Sequence, residues 1–374
     1  MWDDGTNWQD SNTAAGVYNF SKLDAWLQIA QQHGVTDILY TFGKTPPWAS
    51  SNPNDQTCAG PSSLPGSCDP PNDLNPDGTG TDQHWRDFVT AIVNHSASSP
   101  NAHITSWDIW NEPSLPKKWN GTMAQLVRMA KDASTIIKAT DPSALVTTPS
   151  PVDGGSGLSA AQWMTQYLAA GGNTYADVVT FHGYLSANGL SAPENIASTV
   201  QDLASSRSSA GLSAKPLWDT ESDWGRDSNL PDPNQEAAFL ARFYLVQWSN
   251  GVSRLYWYQY GNRAFGSLWL PGTGTNAAGI AYGTVYKWMV GATMKSSCSS
   301  AGSVWTCNFT KPGNVTAQAV WDASQTCSNG NCTTSSYTPS SSYTQYQDLA
   351  GGVTPISSGS TVQIGAEPIL LESQ

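Results

Sequence analysis

The chain has 374 residues, a formal net charge of −12, and only 12% charged side chains. So acidic a balance argues against nucleic acid or an anionic membrane as partner, because phosphate binding needs a basic face. No apolar run is long enough to predict a membrane-spanning helix, and Met1-Trp2-Asp3-Asp4-Gly5 lacks the basic and apolar regions of a signal peptide.

In chain order, a strand-then-helix rhythm is predicted. Ser21 is the expected cap of a helix whose apolar positions Leu23, Trp26, Leu27 and Ala30 follow a 3.6-residue period, with Gly34 ending it. Ile38 to Phe42 reads as a strand. A polar excursion over residues 43–80, rich in Pro, Gly and Asn, follows it; loops of this length are usually functional or disordered, and a disulfide argues for order. Trp85, Phe88, Val89, Ile92 and Val93 mark a second helix. A strand from Ile104 to Asn111 comes next and stops at Pro113, which cannot donate to a sheet ladder.

Thr122-x-x-Gln125 predicts a capping box for a helix with Leu126, Met129, Ala133 and Ile137 inward, stopping before Asp141-Pro142. A strand from Leu145 to Thr148 leads to a helix opened by Ser159-x-x-Gln162 and closed by Gly171-Gly172. Strand Val178 to His182, a helix around Ile196, Val200 and Leu203, and strand Leu217 to Glu221 follow. Asp232-Pro233 opens the next helix with Pro at its first position. Strand Leu255 to Tyr258 and a helix near Tyr282 to Val290 complete the series. Alternating strands and helices predict a parallel sheet with helices outside. After Gly291 the helical period is lost. Val304-Trp305, Ala317 to Trp321 and Thr361 to Ile364 read as short strands, so residues 291–374 are predicted to form a small β-sandwich, to which Pro368-Ile369-Leu370-Leu371 could return.

The six cysteines fall into three close pairs, Cys58/Cys68, Cys298/Cys307 and Cys327/Cys332. Six allow many connectivities, of which local pairing is the simplest. No repeated Cys-x-x-Cys and no His-Glu-x-x-His occurs, so neither metal nor cofactor is predicted. Disulfides imply an oxidising compartment, extracellular or periplasmic. With 17 Trp and 14 Tyr, the composition suits a protein that handles sugars, whose apolar faces stack on aromatic rings, although most of these rings fill the core.

Two glutamates stand out. Glu112 follows Asn111 at the end of one hydrophobic strand, and Glu221 closes Leu217-Trp218-Asp219-Thr220-Glu221, three strands later. In α/β folds, ligands bind at that edge of the sheet. Cleavage of a glycosidic bond needs two facing carboxyl groups, roughly 5–5.5 Å apart in a retaining enzyme. The bland alternative has Glu112 capping the next helix or pairing with Lys117 or Lys118. Asp219 and Asp223 are rivals to Glu221; Asp219 shares its face one layer deeper, and Asp223 falls beyond the strand. Trp224 suits loop packing as well as a sugar platform.

The stretch Trp107-Asp108-Ile109-Trp110-Asn111-Glu112-Pro113 resembles the acid/base signature of clan A glycoside hydrolases, a (β/α)8-barrel superfamily. There the Asn-Glu pair closes the fourth barrel strand and the nucleophile closes the seventh, which matches Glu221. The Thr-Glu ending, Thr45-Pro46-Pro47-Trp48-Ala49-Ser50 and Phe181-His182-x-Tyr184 resemble glycoside hydrolase family 39 and its relatives. The likeness spans most of residues 1–290, and the β tail suits an accessory sandwich.

It implies a TIM barrel over 1–290 and a retaining hydrolase of plant or microbial glycans. Glu112 would be the acid/base with a lifted pKa, and Glu221 the nucleophile. Asn111 would bond the sugar 2-hydroxyl. His182 and Tyr184 would line the pocket, Tyr184 also orienting Glu221. Trp48, Trp257 and Tyr258 would offer stacking surfaces, although Trp257 and Tyr258 alternate along their strand, so one of them should face the helices. A non-catalytic carbohydrate-binding barrel and a transglycosylase using the same residues are the alternatives. Counting back from Glu112, only Ile38 to Phe42 is a full strand, with Met1-Trp2-Asp3 a stub. The barrel is therefore expected to lack its first strand and most of its second, Met1 being internal to a longer natural chain.

Overall fold

The computed structural model describes residues 1–374 except 2–3, 155–156, 186–191, 262–263, 340–342 and 374. The chain divides into two compact units, Met1–His182 with Leu203–Trp218, and Gly183–Asp202 with Asp219–Gln374.

In the first unit the order is α1 (Trp8–Ser11), α2 (Ser21–Gln32), β1 (Leu39–Thr41), α3 (Gln83–Ala97), β2 (Ser106–Asp108), α4 (Met123–Thr140), β3 (Leu145–Thr147), α5 (Ala160–Ala169) and β4 (Val179–His182). Strands β1, β2 and β3 pair in parallel, Leu39 with Ser106 and Ser106 with Leu145. Parallel bridges from Thr147 to Val178 and from Val152 to His182 bring β4 alongside β3. An aromatic cluster fills the space between this sheet and the helices. Phe42 stacks on Trp107, and Trp85 meets Phe42, Phe88 and Trp8, all of them almost fully buried. Each such side chain contributes about 1.5–3 kcal/mol of transfer free energy.

Local signals set most helix boundaries here. Thr122 and Ser159 both form complete capping boxes with the glutamine three residues on, and Asp141 is the C-cap of α4. The first helix differs from its expectation. Ser21 lies inside α2 rather than capping it, and its N–H donates to the Asn19 side chain. Leu23 and Leu27 are buried, but Trp26 is 41% exposed. The excursion after β1 contains turns and isolated bridges but no helix or strand before α3, and the Cys58–Cys68 disulfide crosses it.

The ladder of β2 is shorter than the predicted Ile104–Asn111. Phe42 N donates to Asp108 O, but Phe42 O receives the N–H of Asn111 instead of that of Trp110. The established register pairs Thr41 with Asp108, so the return bond uses one residue too many. This is a β-bulge, a device that bends a strand and re-aims the side chains beyond it.

Two elements, α6 (Ile196–Ser209) and β5 (Leu217–Ser222), run across the unit boundary. The second unit continues with α7 (Pro233–Ser249), β6 (Val252–Trp257), a ribbon of β7 (Trp269–Leu270) and β8 (Gly274–Thr275), and α8 (Ala277–Met289). Asp232 caps α7 with Pro233 at its first position, as expected. Strand β6 lies beside β5. Six strands of the strand-then-helix series are thus found among the described residues. Thr41 N of β1 also donates to Met1 O, whereas residues 2–3, the rest of the expected stub, lie outside the described residues.

From Thr293 onward the unit is antiparallel: β9 (Thr293–Met294), β10 (Ser299–Ala301), β11 (Val304–Lys311), β12 (Val315–Asp322), β13 (Cys327–Ser328), β14 (Asn331–Cys332), β15 (Ser335–Tyr337), β16 (Gln345–Gln347), β17 (Val353–Pro355), β18 (Val362–Ile364) and β19 (Ile369–Glu372). The main sheet runs β10-β11-β12-β19-β16-β17, and β15 pairs with β18 in a second layer. Val320, Ile369 and Leu371 of the sheet pack on Val362 and Ile364 of that layer. The last apolar run therefore does return, pairing with β12 and β16. Disulfides Cys298–Cys307 and Cys327–Cys332 are both formed. Arg242 of α7 makes two hydrogen bonds to Glu194, which also accepts from the Trp321 indole.

Candidate active site

In the first unit, Glu112 stands just past the bulge. Its backbone has φ of 46°, a left-handed value that non-glycine residues rarely adopt and that tertiary contacts must enforce. Those contacts are visible. Glu112 N donates to Ser150 O on one side, and on the other a tight turn follows, closed by Leu115 N to Glu112 O and Lys118 N to Leu115 O. The Trp110 indole donates to Lys118 O, which pins the turn back against the strand end.

The turn returns Lys118 Nζ to 3.7 Å from Glu112 Oε2. His182, at the end of β4, places Nδ1 3.3 Å from Oε1, and Asn111 Nδ2 lies 3.4 Å from Oε2. Burial pushes the Glu112 carboxyl up, but the His182 hydrogen bond and the charges of His182, Lys118 and Lys117 outweigh it and hold the group below its usual range. The expected lift is thus reversed, because sequence reading could not weigh cations against burial. The pairing with Lys118, the bland alternative for Glu112, is present together with the His182 contact.

Beneath this group sits Asp108, which the sequence reading passed over. It is fully buried and accepts from Ser150 Oγ at 2.6 Å. Burial lifts its pKa to about 7, against the opposing pull of Ser150 and the His182 charge. An aspartate inside an apolar strand was the available signal. Trp48 lies in the turn after β1, half-buried, its indole donating to Asn12 O and its ring edge-on to His84.

In the second unit, Glu221 accepts from Tyr184 Oη at 2.8 Å. Asp219, two residues earlier, is fully buried and receives Gly183 N, Ser222 Oγ and Gln247 Nε2. A Cβ at Gly183 would meet Asp219 Oδ2 at 2.4 Å, so only glycine lets β4's exit pass this close. Asp219 is consequently a structural anchor. Asp223 is buried, and its pKa is lifted to about 8 by burial and by the Glu221 and Asp227 charges, against the opposing Gly225 N–H.

Tyr258 N donates to Ser222 O, so Tyr258, half-buried, stands beside the residue after Glu221. Trp257 points the other way. It packs among Trp224, Phe243 and Tyr244, and its indole donates to Gly266 O. Trp257, half-buried, is thus the member of the pair that packs on the helix. Trp224, 1% exposed, is loop packing.

Asp55, Cys58, Cys68 and Asp69 have the geometry of a metal-ligand group, but both sulfurs are spent in the disulfide, leaving two carboxylates. Such a set does not fit a thiolate-bound metal.

A family model described as Cellulase (glycosyl hydrolase family 5) matches residues 11–262. Among solved structures, a family 39 glycoside hydrolase from Bacteroides cellulosilyticus WH2 aligns over 98% of this chain and 74% of its own, with a TM-score of 0.70 at 17% identity. A glucosidase from Croceicoccus marinus covers 96% of this chain and 83% of its own, with a TM-score of 0.63 at 14% identity. The catalytic domain of a family 30 xylanase C from Talaromyces cellulolyticus covers 95% and 80%, with a TM-score of 0.54 at 16% identity. At such identities these structures establish the fold alone, a TIM barrel. No curated protein matches the chain.

Proposed function

The chain belongs to the cellulase family of glycosyl hydrolases, family 5, and from that premise we propose that it hydrolyses β-linked plant or microbial polysaccharides with retention, using Glu221 and Glu112. The observation that carries the reading is the partnering of the two glutamates. Each ends a hydrophobic strand. Glu221 has a neutral donor, Tyr184, and Glu112 has a histidine and a lysine.

In the first step Glu221 attacks the anomeric carbon, and Glu112 gives its proton to the departing oxygen. A glycosyl ester on Glu221 results. In the second step Glu112, now ionised, takes a proton from water, whose oxygen displaces Glu221 and restores both residues. A group held below its usual range must first be protonated. Burial already raises the proton affinity of Glu112 most strongly of all its influences. A sugar that excludes the remaining water deepens that effect and lifts the carboxyl toward its acid form. Asn111 would hold the sugar 2-hydroxyl, and Tyr258 and Trp48 would meet sugar faces. Residues 1–290 would be the catalytic barrel and 291–374 an accessory sandwich. Three disulfides support secretion. Among the described residues no helix is long and apolar enough to cross a membrane.

The test follows the anomeric signals of the first product by proton NMR on β-glucan and xylan. Retained configuration is expected. An inverted first product would reject the double displacement, and the absence of any released sugar would reject the activity.

A further inference from the structure

Tyr260 carries the highest exposure of any large apolar or aromatic side chain among the described residues, 66%. An exposed tyrosine is ordinary when it is mobile. This one is fixed. Tyr260 O receives two N–H groups of the β7 arm, Leu268 N at 3.0 Å and Trp269 N at 2.8 Å. The β7–β8 ribbon is itself held by the Trp269–Thr275 pairing. Gly261 permits the approach, since a Cβ there would lie 2.9 Å from Trp269 O and 3.1 Å from its ring. The outcome is two aromatic rings with centroids 6.0 Å apart and planes only 7° from parallel.

Trp269, itself half-buried, stacks in parallel on one face of Tyr260 and restricts its ring, so the exposed Tyr260 presents an aromatic face already held in place, as binding sites for flat ligands require. The flat ligand that suits a glycosyl hydrolase is the apolar face of a sugar ring. Its placement supports this. Tyr260 follows β6 by three residues and Tyr258 by two, and Tyr258 is the residue bonded to Ser222 next to Glu221. The pair therefore lies farther along the same loop, at the strand end where ligands bind in this fold.

We propose that Tyr260 and Trp269 form a distal sugar-binding platform, which stacks a ring of a β-linked oligosaccharide other than the one undergoing cleavage. This rests on the reading of the chain as a hydrolase and makes it specific: the enzyme favours chains over single glycosides.

The experiment compares wild type, Tyr260→Ala and Tyr260→Phe on 4-nitrophenyl monoglycosides and on gluco- and xylo-oligosaccharides of two to six units. Binding of the longest oligosaccharides is measured by calorimetry on each protein in a Glu221→Ala background, and thermal melts confirm folding. In Tyr260→Ala, kcat/KM on the longest oligosaccharide relative to the monoglycoside is expected to fall about tenfold. The change should sit in KM and be matched by the loss in calorimetric affinity, with Tyr260→Phe restoring both. An equal change on short and long substrates overturns the platform, as does unchanged affinity for the longest chain. If wild type cleaves nothing yet binds these chains in a Tyr260-dependent way, the platform stands and the hydrolase reading fails.

Discussion

Glu112 and Glu221 end their strands in different physical settings. Glu112 follows a bulge, has a left-handed backbone, and is surrounded by His182, Lys118 and Lys117, whose charges outweigh burial. Glu221 lies within the six-residue strand β5 and meets a neutral phenol. Beneath Glu112 lies Asp108, a carboxyl that burial lifts to about 7, whereas beneath Glu221 lies Asp219, which receives three donors. The first region thus surrounds its glutamate with cations above a lifted aspartate, and the second sets a phenol donor against its glutamate with the lifted carboxyl of Asp223 close by. A group that must cycle between acid and base needs neighbours that can shift its proton affinity. A nucleophile needs orientation and a constant charge. On the proposed reading, the cationic setting suits Glu112 to the acid/base role and the phenol donor suits Glu221 to that of the nucleophile.

The comparison breaks most visibly at Glu221. Its replacement by alanine should lower kcat at least about 10⁴-fold on all glycosides. Azide should then restore turnover with an inverted glycosyl azide as product. A variant that azide leaves silent while aryl glycosides still turn over would place the nucleophile elsewhere.

Glu112→Ala should be selective. Loss of about 10²–10⁴-fold is expected for alkyl glycosides, whose leaving oxygen needs a proton, with a much smaller loss for dinitrophenyl glycosides. Equal loss across leaving groups would remove Glu112 from the acid/base role.

Tyr184→Phe keeps the ring and deletes one hydrogen bond to a carboxylate. Such bonds contribute about 1.5–3 kcal/mol, so kcat should fall roughly 10- to 100-fold with KM little changed. A change confined to KM would make Tyr184 a substrate contact rather than an orienting one.

Lys118→Met tests the charged side of the comparison with the smallest effect. Lys118 favours the ionised form of Glu112, so its removal raises the proton affinity of that carboxyl. The acid form then persists to higher pH, and the alkaline limb of kcat/KM should move upward. A limb that stays in place, or moves down, would show that the lysine does not set the acid's protonation.

The amino-acid order alone determined what depends on near neighbours. Capping boxes at Thr122 and Ser159 and the proline after Asp232 position helices through bonds made within four residues. The three disulfides join cysteines at most ten positions apart, where short chain closure favours local pairs. Glu112 was legible because Pro113 terminates an apolar strand, and Glu221 because Leu217 and Trp218 precede it. Ser21 misled because Asn19, two residues earlier, supplies the oxygen for its N–H. Only the tertiary structure decided how Glu112 ionises. The bulge arises from the register against Phe42, some seventy positions back in the chain, and His182 arrives from the end of another strand. It also turned Trp257 toward α7 and left Tyr258 beside Ser222, since a strand's two faces are assigned by what packs on each. Burial and charge are sums over partners distant in the chain, so the sign of a pKa shift is settled only once those partners are in place.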